Sequence, residues 1–125
     1  MRRRIPDLGH NPAAYARLEG DGEYEFDIVG ESFYQDALGQ ICGGKLPEGQ
    51  DHECVAYLVP EPENPHDANA AAVYIDNLKV GHIAAVIAPR ISKALAGRIA
   101  TVDAMIIGGW ISDRGDGHYG VKLDL

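Results

Sequence analysis

Residues 58–72 read Leu-Val-Pro-Glu-Pro-Glu-Asn-Pro-His-Asp-Ala-Asn-Ala-Ala-Ala, and this stretch decides the fold. Pro60, Pro62 and Pro65 lack the N–H that a sheet ladder needs, so residues 60–69 are not a central strand. Pro60 and Pro62 hold the chain extended. Asn64-Pro65 starts a turn. Asp67 and Asn69 are placed to accept hydrogen bonds from nearby backbone amides and so to fix the loop. Three alanines, Ala70 to Ala72, then carry the chain into a crowded interior. The stretch predicts a rigid loop joining two buried strands, with His66 and Asp67 at its tip. Rigid loops on a β scaffold are common places for recognition.

Working outward, the flanks supply the strands. Residues 54–59 read as one, residues 70–75 as the next, and residues 78–83 follow after an Asp76-Asn77 turn, as a hairpin. Residues 24–28 alternate apolar and acidic side chains, which places Tyr24, Phe26 and Ile28 on the core side of a first strand. Phe33, Ala37, Leu38 and Ile41 recur at helical spacing, so residues 33–41 predict a short helix stopped by Gly43-Gly44. Residues 45–52 read as a polar loop.

A second helix is predicted over residues 84–97, with Val86, Ile87, Ile91, Ala94 and Leu95 as its apolar stripe. Pro89 moves its true start to near Ala88. Residues 101–107 and 119–125 complete the strands, with a turn region around Trp110 between them. Residues 1–22 read as an N-terminal arm or appendage, with one or two helical turns over 13–18. Residues 23–125 read as the domain. The fold expected is mostly β with two helices: a small, partly closed OB-like or SH3-like β-barrel of about six strands, whose closure protects its edges.

Length and composition agree. A chain of 125 residues suits one domain. Its fifteen glycines suit a turn-rich β fold. No run approaches the ~18 apolar residues of a membrane span. The basic start Met1-Arg-Arg-Arg-Ile-Pro lacks an apolar signal segment. These features predict a cytoplasmic protein with no membrane partner. Cys42 and Cys54 are too few for a disulfide framework and read as small core or boundary residues.

Several function classes fall away. Ser32, Ser92 and Ser112 have no nucleophile elbow around them, and no phosphate-binding or dinucleotide loop is present. The chain is therefore read as not an enzyme, with no catalytic residues and no cofactor. Cys42, His52 and Cys54 lie close in sequence, but they lack the paired spacing that zinc sites use, so no metal is expected.

Charge cuts two ways. The net charge of −8 opposes phosphate binding. Basic residues are nonetheless grouped, at Arg2, Arg3 and Arg4 and again at Arg90, Lys93 and Arg98, and a local basic face can hold an anion. Glu23, Glu25 and Asp27 share one face of the first strand, which suits a basic protein partner.

The ordered blocks Ile28-Val29-Gly30 to Phe33-Tyr34, Glu61-Pro62-x-Asn64-Pro65-x-Asp67-x-Asn69-Ala70 and Val80-Gly81-His82-Ile83, leading into the helix with Ala94 and Leu95, resemble the HIRAN domain family. The resemblance spans residues 24–125 in layout and is to a stand-alone, bacterial-type member. It implies an OB-like barrel that binds single-stranded DNA, in particular its 3′ end, in a DNA-repair setting.

By the same resemblance Ser32 and Phe33 stand where DNA-end-binding members carry an arginine and a tyrosine, with Tyr34 next. His66 stands at the loop tyrosine, Ala85 at a lysine, and Asn64, Asp67 and His82 keep the pattern. Phe33, Tyr34 and His66 would stack on bases and Asp67 would accept from a 3′-hydroxyl. Asn64 and His82 would touch phosphate, helped by Arg90 and Lys93. Each residue also has a structural reading. Phe33 sits at core spacing, Asn64 and Asp67 brace their own loop, His66 is a loop position, and His82, Arg90 and Lys93 belong to solvated faces. The alternative function is an acidic adaptor that has lost DNA-end binding.

Overall fold

The computed structural model describes residues 15–125. In chain order these form β1 (Ala16–Leu18), β2 (Phe26–Asp27), a 3-10 turn (Glu31–Phe33), α1 (Gln35–Cys42), β3 (Gln50–Pro60), β4 (Ala71–Ile75), β5 (Leu78–His82), α2 (Ala88–Leu95), β6 (Ala100–Gly108), β7 (Ile111–Ser112), β8 (Gly115–Asp116) and β9 (Tyr119–Leu123).

β3 and β6 are the longest strands, and they pair antiparallel from Gln50 opposite Gly108 to Leu58 opposite Ala100. Their period-two alternation turns Ala56 and Leu58 of β3, and Val102, Ala104 and Ile106 of β6, into the core. The main sheet runs β2-β9-β6-β3-β4-β5, with β1 parallel to the start of β6. It curls until its two ends meet. After β2 the chain continues to Val29, which exchanges two backbone hydrogen bonds of 2.9 Å with His82 on β5. The result is the mostly-β, two-helix, OB-like architecture expected, as a curled half-barrel closed at one bridge.

Ala37 and Leu38 of α1, and Ala88, Ile91 and Leu95 of α2, pack onto the barrel core. Burial of each leucine or isoleucine among them stabilises the fold by about 1.5–3 kcal/mol relative to exposure.

Several expectations need correction. The first strand shrinks to Phe26–Asp27, because Tyr24 takes a left-handed backbone (φ 51°) that breaks the extended run. The first helix begins at Gln35, and Phe33, expected at core spacing, lies in the preceding 3-10 turn and is 85% exposed. Part of the predicted 45–52 loop is strand, since β3 starts at Gln50 and finds a partner in β6. The second helix is Ala88–Leu95, starting where Pro89 indicated; Val86 precedes it and is 88% exposed, and Ala94 faces solvent. The turn around Trp110 contains the small β7–β8 hairpin. Ala16–Leu18 is strand rather than helical turn, so the later part of the predicted arm joins the sheet. Residues 13 and 14 and the basic run Arg2 to Arg4 lie outside the described residues.

The Asp76-Asn77 hairpin is present, with Ile75 opposite Leu78. Both turn residues have positive φ, 50° and 64°, as a two-residue type I′ turn requires. Glycine carries no steric penalty there. Asn77→Gly is expected to stabilise the domain by about 0.5 kcal/mol, read as a higher urea midpoint with an unchanged slope.

Candidate nucleic-acid interface

Two segments converge on His82. The first is the proline-rich loop after β3. Its base is closed by Glu61 N–H donating to the Ala70 carbonyl at 2.8 Å. Inside it, the Asn64 Oδ1 accepts from the amides of His66 and Asp67 at 2.9 and 3.2 Å. The Asp67 Oδ1 accepts from the Asn69 amide at 2.8 Å. These short-range bonds replace a strand ladder and fix the tip. They leave the exposed His66 ring in solvent, and the second Asp67 oxygen carries no hydrogen bond among the described residues.

The second segment is the 3-10 turn. Gly30 enters it with φ 81°, and the Phe33 amide donates back to the Gly30 carbonyl at 3.1 Å. On one side it is anchored by the Val29–His82 bridge. On the other, side chains cap the edge of β9. The Gln35 amide donates to the Tyr119 carbonyl at 3.0 Å and accepts from the Tyr119 N–H at 2.8 Å, and the Glu31 Oε2 accepts from the Val121 N–H at 3.4 Å. A turn held on both sides presents Ser32 and Phe33 outward.

Between the proline loop and the β4–β5 hairpin lies an open cavity of about 590 Å³, which reaches His82. Val59, Tyr74 and Pro60, Pro62 and Pro65 form its apolar walls. Its polar floor is a charged network. The Glu61 Oε2 accepts from Lys79 Nζ at 3.1 Å, and its Oε1 lies 2.8 Å from His82 Nε2 and accepts from the Asn64 Nδ2 at 3.2 Å. Burial opposes ionisation of Glu61, but the hydrogen bonds from Lys79, Asn64 and His82 outweigh it and hold the carboxyl below its usual range. Lys79 is almost fully buried, on the face of β5 opposite the core residue Val80.

The predicted residues therefore separate by role. Phe33 and Ser32 on the turn and His66 on the loop are exposed, Asp67 is half-buried beside His66, and none of the four lines the cavity. Asn64 and His82 line the cavity, and Asn64 spends its amide oxygen and one N–H on the loop and on Glu61. Tyr34 packs partly against the core. Arg90 lies over the Phe26 ring, 5.4 Å from its centroid, and Lys93 is exposed on the same helix.

Sequence reasoning assigned no role to Glu61, Lys79 or Tyr74. In a strand over 78–83 Lys79 lies on the face opposite Leu78 and Val80, and nothing local shows that the loop covers that face. The one available signal was Pro60-Glu61-Pro62, which pins a carboxylate between two rigid residues.

Among the described residues no group of three or more His, Cys, Asp or Glu side chains is placed to hold a metal ion. Burial raises the Cys42 thiol and pushes Cys54 up to about 12, so both stay protonated at neutral pH and are poor nucleophiles or ligands. No helix among the described residues is long and apolar enough to cross a membrane.

A sequence model of the HIRAN domain matches residues 21–109. No curated protein and no solved structure gives a significant match. The matched segment holds the turn, the proline loop, the Val29–His82 bridge and the Glu61 network. The chain thus belongs to the HIRAN domain family, whose domain is known as a DNA-binding module.

Proposed function

We propose that this HIRAN domain is a non-enzymatic module that binds single-stranded DNA at its 3′ end. The observation that carries the reading is the convergence on His82 of two rigid segments that each expose a ring, Phe33 on the turn and His66 on the loop. An apolar ring held in solvent on a braced turn is a stacking platform, and stacking on aromatic side chains is how small barrels grip single strands without reading sequence. Phe33 and His66 take the terminal bases, and the second oxygen of Asp67 accepts from the terminal 3′-hydroxyl. His82 meets phosphate. Asn64 acts through the loop it builds, and Tyr34 supports the turn. Arg90, Lys93 and the exposed Ser32 contribute contacts along the backbone.

The net charge of −8 makes long-range attraction to DNA unfavourable. Binding is therefore carried by the local contacts and weakens as salt rises. The test is a titration of a short labelled strand bearing a free 3′-hydroxyl against the same strand with a 3′-phosphate, at low and moderate salt. The hydroxyl strand binds about tenfold more tightly, the scale of one charge-assisted hydrogen bond, and Asp67→Ala removes the preference. Absence of binding at low salt sinks the reading. It would leave the acidic adaptor, in which exposed Glu23, Glu25 and Asp27 receive a basic protein partner.

A further inference from the structure

We propose that Glu61 is a positioning residue that holds His82 in its Nε2-protonated form, so that the ring meets an anion only as imidazolium, through Nδ1. The inference rests on the DNA-end reading for its ligand, but its first half concerns the protein by itself. The geometry that carries it is the 2.8 Å approach of His82 Nε2 to Glu61 Oε1, in a carboxylate that Lys79 and Asn64 also hydrogen-bond.

A carboxylate is acceptor-only, so Nε2 must carry the hydrogen. Neutral His82 then has a lone pair at Nδ1. A phosphodiester oxygen has no proton to give, so it repels that lone pair. Only the imidazolium offers an N–H there, and the proton it needs comes from solvent. Binding of a phosphate at His82 therefore takes up one proton. A ligand hydroxyl or base N–H, in contrast, meets neutral His82 without proton uptake.

Among the described residues the polar and charged groups around His82 come from three segments. From the loop come Glu61, Glu63 and the uncharged Asn64, and from β5 itself comes Lys79, whose ammonium lies on the opposite oxygen of Glu61. From β4 come Ala72, which lies opposite His82, and Tyr74, which shares the cavity wall. The segment at Val29 meets His82 through its backbone, and the Glu31 carboxylate accepts from the Val121 amide. Lys79 has a definite part in this. It holds Glu61 ionised from the far side, so that the carboxylate does not take a proton from His82.

Two measurements test the inference. The first uses the free protein and needs no variant. Ring ¹⁵N chemical shifts of His82 at pH 8 are expected to show Nε2–H with an unprotonated Nδ1. A dominant Nδ1–H form overturns the inference whatever the protein binds. The second is the pH dependence of affinity for the 3′-hydroxyl strand. Wild-type affinity falls as pH rises, by up to about tenfold per pH unit, the limit for one linked proton.

Glu61→Gln removes that slope, because the glutamine amide can donate to Nε2 and release an Nδ1–H form that needs no extra proton. A merely structural role for Glu61 lowers affinity equally at every pH and leaves the slope intact, which also overturns the inference. The correct tautomer with no DNA binding retains the positioning role and rejects the DNA-end reading, so the two failures are distinguishable.

Discussion

Gly81→Ala is expected to destabilise the domain by about 3 kcal/mol, at the upper end of what overpacking a core costs. A Cβ on residue 81 would stand 2.5 Å from the Val29 carbonyl oxygen and 2.8 Å from Ile28 Cδ1. The carbonyl is the neighbour that is not free to retreat, because Val29 is bonded to His82 in both directions at 2.9 Å; the Ile28 Cδ1 is a side-chain tip, held only by its packing in the core. The extra methyl must therefore open the bridge that closes the half-barrel.

Thermal unfolding should shift down by about 10 °C or more for a domain of this size, and a urea midpoint gives the free energy. DNA binding should fall with it, because the turn bearing Phe33 is anchored through Val29. Gly30→Ala is the informative control. Gly30 has φ 81° and open space around its Cβ position, so its loss reflects backbone preference alone, about 1 kcal/mol. Equal effects at the two positions would mean that the bridge yields easily and that closure does not depend on Gly81.

The same bridge marks the limit of what the sequence made legible. Local chemistry was readable wherever it acted over a few residues. The prolines and the Asx bonds of Asn64 and Asp67 announced the loop, Pro89 announced the start of α2, and Asp76-Asn77 announced the hairpin. Where a partner distant in sequence decides the outcome, the local pattern misled. Residues 24–28 alternate cleanly, yet the ladder with β9 is confined to Phe26–Asp27, because Tyr24 turns left-handed before it and the chain crosses to β5 at Val29 after it. Gln50 reads as loop and becomes strand because Gly108 lies opposite it.

The candidate site follows the same division. Its exposed tip was visible from composition. Its charged floor was not, since Glu61 and Lys79 are eighteen residues apart and meet only when the loop folds over β5.

Phe33 was misread for a related reason, and it now carries the sharpest expectation for binding. Its spacing with Ala37 and Leu38 suggested one apolar stripe, but the helix starts at Gln35 and the 3-10 turn rotates Phe33 out of register. A ring that is 85% exposed contributes little to folding. Phe33→Ala is therefore expected to leave stability unchanged within about 0.5 kcal/mol. Affinity for a single strand is expected to fall about tenfold to a hundredfold, the scale of one lost base stack at ~1–3 kcal/mol.

Phe33→Leu keeps much of the apolar area and loses the flat face, so it separates stacking from plain hydrophobic contact and should recover only a small part of the loss. Phe33→Tyr keeps the face and should bind as well as wild type. Tyr34 cannot serve this purpose, because it packs against the core and its truncation would mix folding with binding. If Phe33→Ala binds single strands as tightly as wild type, the exposed ring is not the platform. A platform role would then have to rest on His66 alone, whose smaller ring offers less stacking area. The wild-type affinity would in that case be carried by polar contacts and fall steeply with salt.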